Sequence, residues 1–224
     1  AMKRTPEPEE LMADPEQAAA YAAADFSDAN DRFLALFEAL LDGPFRGAAL
    51  DLGCGPGDIP AALLRAHPHS RVDVLDGAAA MLALAEPRLA AAAAPARWRL
   101  LCHHLPCAEL PAAHYDAVLS NSLLHHLADP HDLWRTLQRC ARPGAPVLVM
   151  DLCRPDSPAA VDALLARYAA DAPPVLYRDF AASLHAAYRP DEVQAQLAAC
   201  GIHGLAVRAV SDRHLAVSGV MAPA

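Results

Sequence analysis

Between Ala48 and Asp58 the chain reads AALDLGCGPGD: a short apolar run, an aspartate, then glycines at the alternate positions 53, 55 and 57. A strand that ends in such a loop and restarts as a helix brings bare backbone against a ligand, because glycine carries no side chain to hold the ligand off. Single positions exclude two common versions of the loop. The dinucleotide fingerprint needs a small residue three positions after the second glycine, where this chain has Asp58. A phosphate-binding P-loop needs a following lysine, and none is present.

The loop sits inside an alternation that sets the fold class. Strand-like apolar runs occur near 48–52, 71–75, 97–102, 115–120 and 145–152, with helical segments near 58–66, 78–94 and 130–141 between most of them. Such alternation with short Gly/Pro-marked joints predicts an α/β domain, a parallel sheet with helices on both faces. Asp58 followed by Pro60 reads as an N-cap with proline in the first turn. An earlier helix near Asp28–Leu41 is marked by Phe33, Leu34, Phe37, Leu40 and Leu41 and closes at Gly43-Pro44. Ahead of it, residues 1–27 begin rich in Pro and Glu and predict a loose N-terminal arm or lid with some helix; residues 28–224 form the main domain. Past Asp151 the pattern turns helical near 157–170, 174–187 and 190–200, an insertion spanning about 155–200. Two short strands near 204–210 and 213–218 follow, joined at Ser211-Asp212.

Composition narrows the partners. With 18 basic and 27 acidic residues the formal charge is −9, which argues against nucleic acid and against anionic membrane surfaces. No apolar run approaches the ~18 residues of a membrane span, and the N-terminus lacks a basic-then-apolar signal pattern. Ala1-Met2 reads as a cloning scar before the native start. Six singly spaced cysteines without a C-x-x-C pair suit free thiols in a reducing cytoplasm. Nothing in the residues sets an oligomeric state.

An acidic residue followed by G-x-G-x-G at the end of a first strand resembles motif I of the class I S-adenosylmethionine-dependent methyltransferases. The resemblance runs from about Tyr21 to Gly219 and is specific at the glycine loop, at Asp76 and in the segment HHLADP. It implies a doubly wound, mostly parallel seven-stranded Rossmann-like sheet, with strand order 3-2-1-4-5 and an antiparallel last strand. It also implies S-adenosyl-L-methionine as cofactor and S-adenosyl-L-homocysteine as product. Asp51, Gly53, Cys54, Gly55 and Gly57 fall in the loop that would carry the methionine part of the cofactor. Asp76 ends the run RVDVLD, 19 residues after Gly57 (76 − 57), where a carboxylate accepts from both ribose hydroxyls; Gly77 and Met81 beside it join the cofactor set.

The run YDAVLSN leads into SNSLLHHLADP, similar to the corresponding segment of small-molecule members. Asp116 falls at the strand start and is expected to be structural. Asn121 and Ser122 emerge at its carboxyl end beside the sulfonium, Asn121 toward the cofactor and Ser122 toward the acceptor. The segment departs from the (D/N)-P-P-(Y/F) pattern of enzymes that methylate amides and exocyclic amines, which argues against adenine-N6 or glutamine acceptors. His125 and His126 are adjacent on an expected helix, about 100° apart, so only one faces the site. They are the first candidates for a general base, and Asp151 is the second. Arg154 is placed to pair with an acceptor carboxylate, and Tyr177, Ser183 and Tyr188 are candidate lining residues.

No metal site is expected. His67/His69, His103/His104 and Cys102/Cys107 lack the paired spacing of zinc sites. In the implied order Cys102 and Cys153 end strands four spacings apart, roughly 19 Å. The expected reaction is direct methyl transfer to a small-molecule acceptor. Two other readings stay open: a non-catalytic cofactor-binding subunit, and an enzyme acting on tRNA or protein, for which Arg135, Arg139 and Arg142 offer only a weak basic patch.

Overall fold

A computed structural model of the chain describes residues 2–7 and 12–222. Seven strands form one sheet in the order β3-β2-β1-β4-β5-β7-β6. They are β1 (Gly47–Leu52), β2 (Ser70–Asp76), β3 (Trp98–Cys102), β4 (Ala117–Asn121), β5 (Pro146–Leu152), β6 (Leu205–Ala209) and β7 (His214–Val220). The first five pair in parallel, while β7 runs antiparallel to both β5 and β6. The expected order 3-2-1-4-5 holds and extends through the closing hairpin.

Burial on both faces makes the strands near-continuous apolar runs, and their alternation divides the core in two. Leu50, Leu52, Val118, Val147 and Val149 point to one side, with Trp134 and Leu137 of α5 (His131–Cys140) and Val193 and Leu197 of α8 (Pro190–Ala199). Ala49, Leu119, Leu148 and Met150 point to the other. There they meet Phe33 and Phe37 of α2 (Ser27–Glu38), Leu63 and Leu64 of α3 (Asp58–Ala66), and Leu89 of α4 (Ala79–Ala92). Trp134 is fully buried and its indole N–H donates to Gln196 Oε1 at 2.9 Å, so burying the ring leaves no polar atom unpaired.

Three further helices frame the carboxyl ends of the strands: α1 (Pro15–Ala23), α6 (Pro158–Tyr168) and α7 (Pro174–Ala186). The arm is not loose where it is described. Met2 N–H donates to Asp156 O, Thr5 N–H to His185 O, and the Arg4 guanidinium to the carbonyls of Ala186 and His125. Farther on, α1 is tied to α7 by Gln17 and Asp179 at 2.7 Å, and to α4 by Arg88 on Ala22 O. The start of α3 also differs from expectation. Gly57, left-handed at φ 87°, is the N-cap, and Asp58 is the first helical residue, paired with Arg88 at 2.9 Å. Among the described residues no helix is long and apolar enough to cross a membrane.

Candidate active site

The carboxyl ends of β1, β2, β4 and β5 open into a cavity of about 1460 Å³, roofed by α1 and α7. Its glycine loop separates two duties. A Cβ at Gly53 would press on Leu123 at 2.9 Å and one at Gly57 on Ala85 at 2.9 Å, so these two permit close packing. A Cβ at Gly55 would meet nothing within 4 Å and would project where φ is 53°. Gly55 is therefore the position where bare backbone faces the cavity. Gly57 is not on the cavity wall, which corrects its expected role in touching the cofactor.

Asp51, Gly53, Cys54, Gly55, Asp76, Gly77, Met81 and Asn121 all line the cavity. Asp76 Oδ2 accepts from Gly55 N–H at 2.9 Å and Oδ1 from Ala78 N–H at 2.8 Å. Each oxygen keeps a lone pair for a further donor. Burial raises the Asp76 pKa, with these two amides opposing the rise. Burial, then the neighbouring Asp76 charge, raises Asp51 to about 7. Burial also holds the Cys54 thiol well above its usual range, so it packs as a neutral group. Asn121 Oδ1 is buried without a hydrogen-bond partner on the wall of the same cavity, an acceptor facing space for a donor. These residues fit a ligand bearing hydroxyl and amino donors and no phosphate.

On the opposite side the two histidines depart from expectation. They lie on a 3₁₀ turn (Leu124–His126), not on an α-helix, and both reach the cavity, with ring centroids 4.0 Å apart. Asp151 is not on the wall; it stands behind His125. Its Oδ2 accepts the His125 backbone N–H at 2.8 Å, and its Oδ1 accepts Leu152 N–H at 2.8 Å and meets His125 Nδ1 at 2.5 Å. A carboxyl so placed as acceptor holds a proton on Nδ1 and makes Nε2 the nitrogen that gains or loses the second proton. Burial opposes charge on His125, but Asp151 and Glu7 outweigh it and its pKa lies above the ordinary value.

Ser122, held at φ 58°, lines the cavity, and so does Ser183, whose hydroxyl donates to Glu7 Oε1 at 2.6 Å. Three expected acceptor residues are elsewhere. Arg154 is buried and donates to Met2 O, Ala187 O and both Glu192 oxygens. It latches the arm to α8 and does not reach the cavity wall. Tyr177 is exposed on the outer side of α7. Tyr188 lies behind the wall with the Arg4 guanidinium 4.2 Å above its ring. Asp116 is structural as expected, accepting from Ala48 N–H and pairing with Arg142. Sequence reading missed Glu7, which reaches the cavity and bonds His126 Nδ1. No local pattern marks it, since its partners lie more than a hundred positions away.

Residues 50–147 match the family model of a methyltransferase domain. An uncharacterized methyltransferase of Mycobacterium bovis is 37% identical over 122 residues, 53% of this chain and 59% of that protein. The chain thus spans about three fifths of the length of the curated relatives it matches. A S-adenosylmethionine-dependent methyltransferase structure from Aquifex aeolicus superposes with a TM-score of 0.69 at 20% identity, covering 93% of this chain and 98% of that one. A methyltransferase from Haloferax volcanii, solved in complex with the Trm112 activator, gives 0.68 at 16% identity, covering 93% and 97%.

Proposed function

We propose that this chain is a class I S-adenosylmethionine-dependent methyltransferase that transfers a methyl group to a nucleophilic atom of a small-molecule acceptor. The observation that carries this reading is one cavity lined by Gly55 and Asp76 on one side and by His125 on the other. When bound, S-adenosylmethionine supplies a methyl group already activated on a sulfonium. The carbon–sulfur bond breaks with its electron pair left on sulfur, and a carbon–acceptor bond forms.

The chain's own residues align and enclose. Gly55 and Asp51 receive the methionine part, Asp76 the ribose hydroxyls, and Asn121 a donor at the exit of β4. Alignment of two bound reactants contributes about 7–11 kcal/mol toward lowering the barrier. The roof of α1 and α7 excludes water. Where the acceptor carries a proton, the Nε2 electron pair oriented by Asp151 is the group it meets. A small acceptor suits the enclosure better than a macromolecule. The lining carboxyls, among them Glu7, Asp14, Asp25, Asp51 and Asp76, also disfavour a phosphate backbone. With its six cysteines as free thiols, the protein is expected to work in a reducing cytoplasm.

Calorimetry with S-adenosylmethionine, followed by a metabolite screen with methyl-labelled cofactor, tests the reading. Micromolar binding and label transfer to a low-mass product are expected. Binding without transfer to any small molecule, or transfer only to tRNA or protein, would overturn the acceptor assignment.

A further inference from the structure

Three side chains from two distant parts of the chain converge at the acceptor side of the cavity. The ligand atoms of Glu7, His125 and His126 all lie within 4.8 Å of one another. Asp151 accepts at His125 Nδ1, so Nε2 is the ring position open to a second proton or to a metal ion. That atom is buried and has no hydrogen-bond partner. The carboxylate facing it, Glu7 Oε1 at 3.8 Å, is itself an acceptor. A buried imidazole nitrogen and a carboxylate oxygen so placed call for a positive charge between them, which a ring proton or a metal ion supplies.

We propose that Glu7, His125 and His126 form a binding site for one divalent transition-metal ion. Two imidazoles and one carboxylate suit zinc, iron(II), cobalt or manganese, whereas magnesium and calcium prefer all-oxygen sets. A supporting shell is in place. Asp151 orients His125, and Ser183 donates to Glu7 Oε1 at 2.6 Å. Such second partners set the tautomer and direction of metal ligands. The side chains of His125, Glu7 and His126 are 2%, 9% and 25% exposed, so the site is sheltered yet open toward the cavity. Ligands about 2.1 Å from an ion stand roughly 3.0–3.4 Å apart. Glu7 now leans on His126 Nδ1 and stands off His125 Nε2, so a small shift of the arm equalises the two distances.

Three protein ligands leave coordination positions free for an acceptor oxygen or nitrogen, whose proton the ion would acidify. The inference rests on the methyl-transfer reading for what occupies those positions. It changes the duty of His125 from base to ligand. The other convergent group, His103, Cys107 and Glu109, is weaker: Glu109 is exposed, and burial, then the Glu109 hydrogen bond, keeps the Cys107 thiol protonated.

The test is a cobalt titration of chelator-stripped full-length protein in a Cys107→Ser background, which disables that second group. The readouts are visible ligand-field absorption and metal content after gel filtration. One equivalent of cobalt is expected. Glu7→Gln and His126→Ala should each weaken it by more than about tenfold, and Asp151→Asn by about 10- to 100-fold, with S-adenosylmethionine affinity unchanged. No stoichiometric cobalt, or binding that survives both ligand substitutions, overturns the site. If cobalt binds as expected but S-adenosylmethionine does not, the metal site stands and the methyl-transfer reading falls.

Discussion

The two sides of the cavity are built in opposite ways. The cofactor side is local: Asp51, the glycine loop, Asp76, Gly77 and Met81 follow one another through β1, α3, β2 and the start of α4. The acceptor side is assembled from four separate stretches, carrying Glu7, His125, Asp151 and Ser183. A site made by one strand–loop–helix passage can be read from spacing, because the fold fixes where each residue emerges. A site made by convergence has no spacing to read.

The sharpest way to break this division is His125→Ala. Whether its Nε2 takes a proton or holds an ion, turnover should fall by about 10²–10⁴ while cofactor affinity stays constant. Single-turnover transfer of labelled methyl, set beside calorimetry, checks both halves of that statement. A parallel loss of cofactor binding would show that the two sides are not separable. Asp76→Ala is the mirror experiment and should cost about 1–3 kcal/mol in cofactor binding, from lost hydrogen bonds to a charged group. An unchanged dissociation constant removes the ribose assignment.

The same division explains what the sequence disclosed. The strands, the terminal hairpin and the helices after β5 were legible because apolar runs and Gly/Pro joints are local signals, whereas strand order came with the family resemblance. The wall positions from Asp51 to Met81 were legible for the same reason. Gly57 was misread because spacing shows that a glycine is needed, not whether ligand or Ala85 needs it. Arg154 was misread because its position after β5 says nothing of Glu192, 38 residues on, or of Met2. Tyr177 depended on the helical phase of a segment with no strand register to fix it, and Tyr188, beyond α7, is placed by a bridge to Cys153 that no spacing announces. Glu7 could not be found at all without the path of the arm.

Arg154→Ala therefore sharpens the comparison by separating structure from chemistry. Its partner Glu192 has a side chain 36% exposed, so the ion-pair part is largely screened. The loss is the set of hydrogen bonds to Met2 O and Ala187 O, a destabilisation of about 1–3 kcal/mol by urea unfolding. The Michaelis constant for the acceptor should not change, whether or not that acceptor is acidic. A selective rise for acidic acceptors would return Arg154 to the site.

The smallest effect lies on the cofactor side, in the pair Asp51 and Asp76. Burial, then the Asp76 charge, raises Asp51 from 3.8 to about 7. A carboxyl raised on folding is protonated in the native state over a range where the unfolded chain has already ionised. Its contribution is fully present below about pH 4 and is lost as pH rises through about 7. Over the single step from pH 6 to pH 7 the native state should lose about 1 kcal/mol relative to Asp51→Asn, with little further change above pH 8. Urea unfolding of both proteins at pH 6, 7 and 8 measures that difference directly. Saturating S-adenosylmethionine places positive charge beside the pair, so it should lower the Asp51 pKa and flatten the slope. A slope that persists unchanged with cofactor bound would mean that the methionine part of the ligand does not sit against Asp51, and the loop would then need a different occupant.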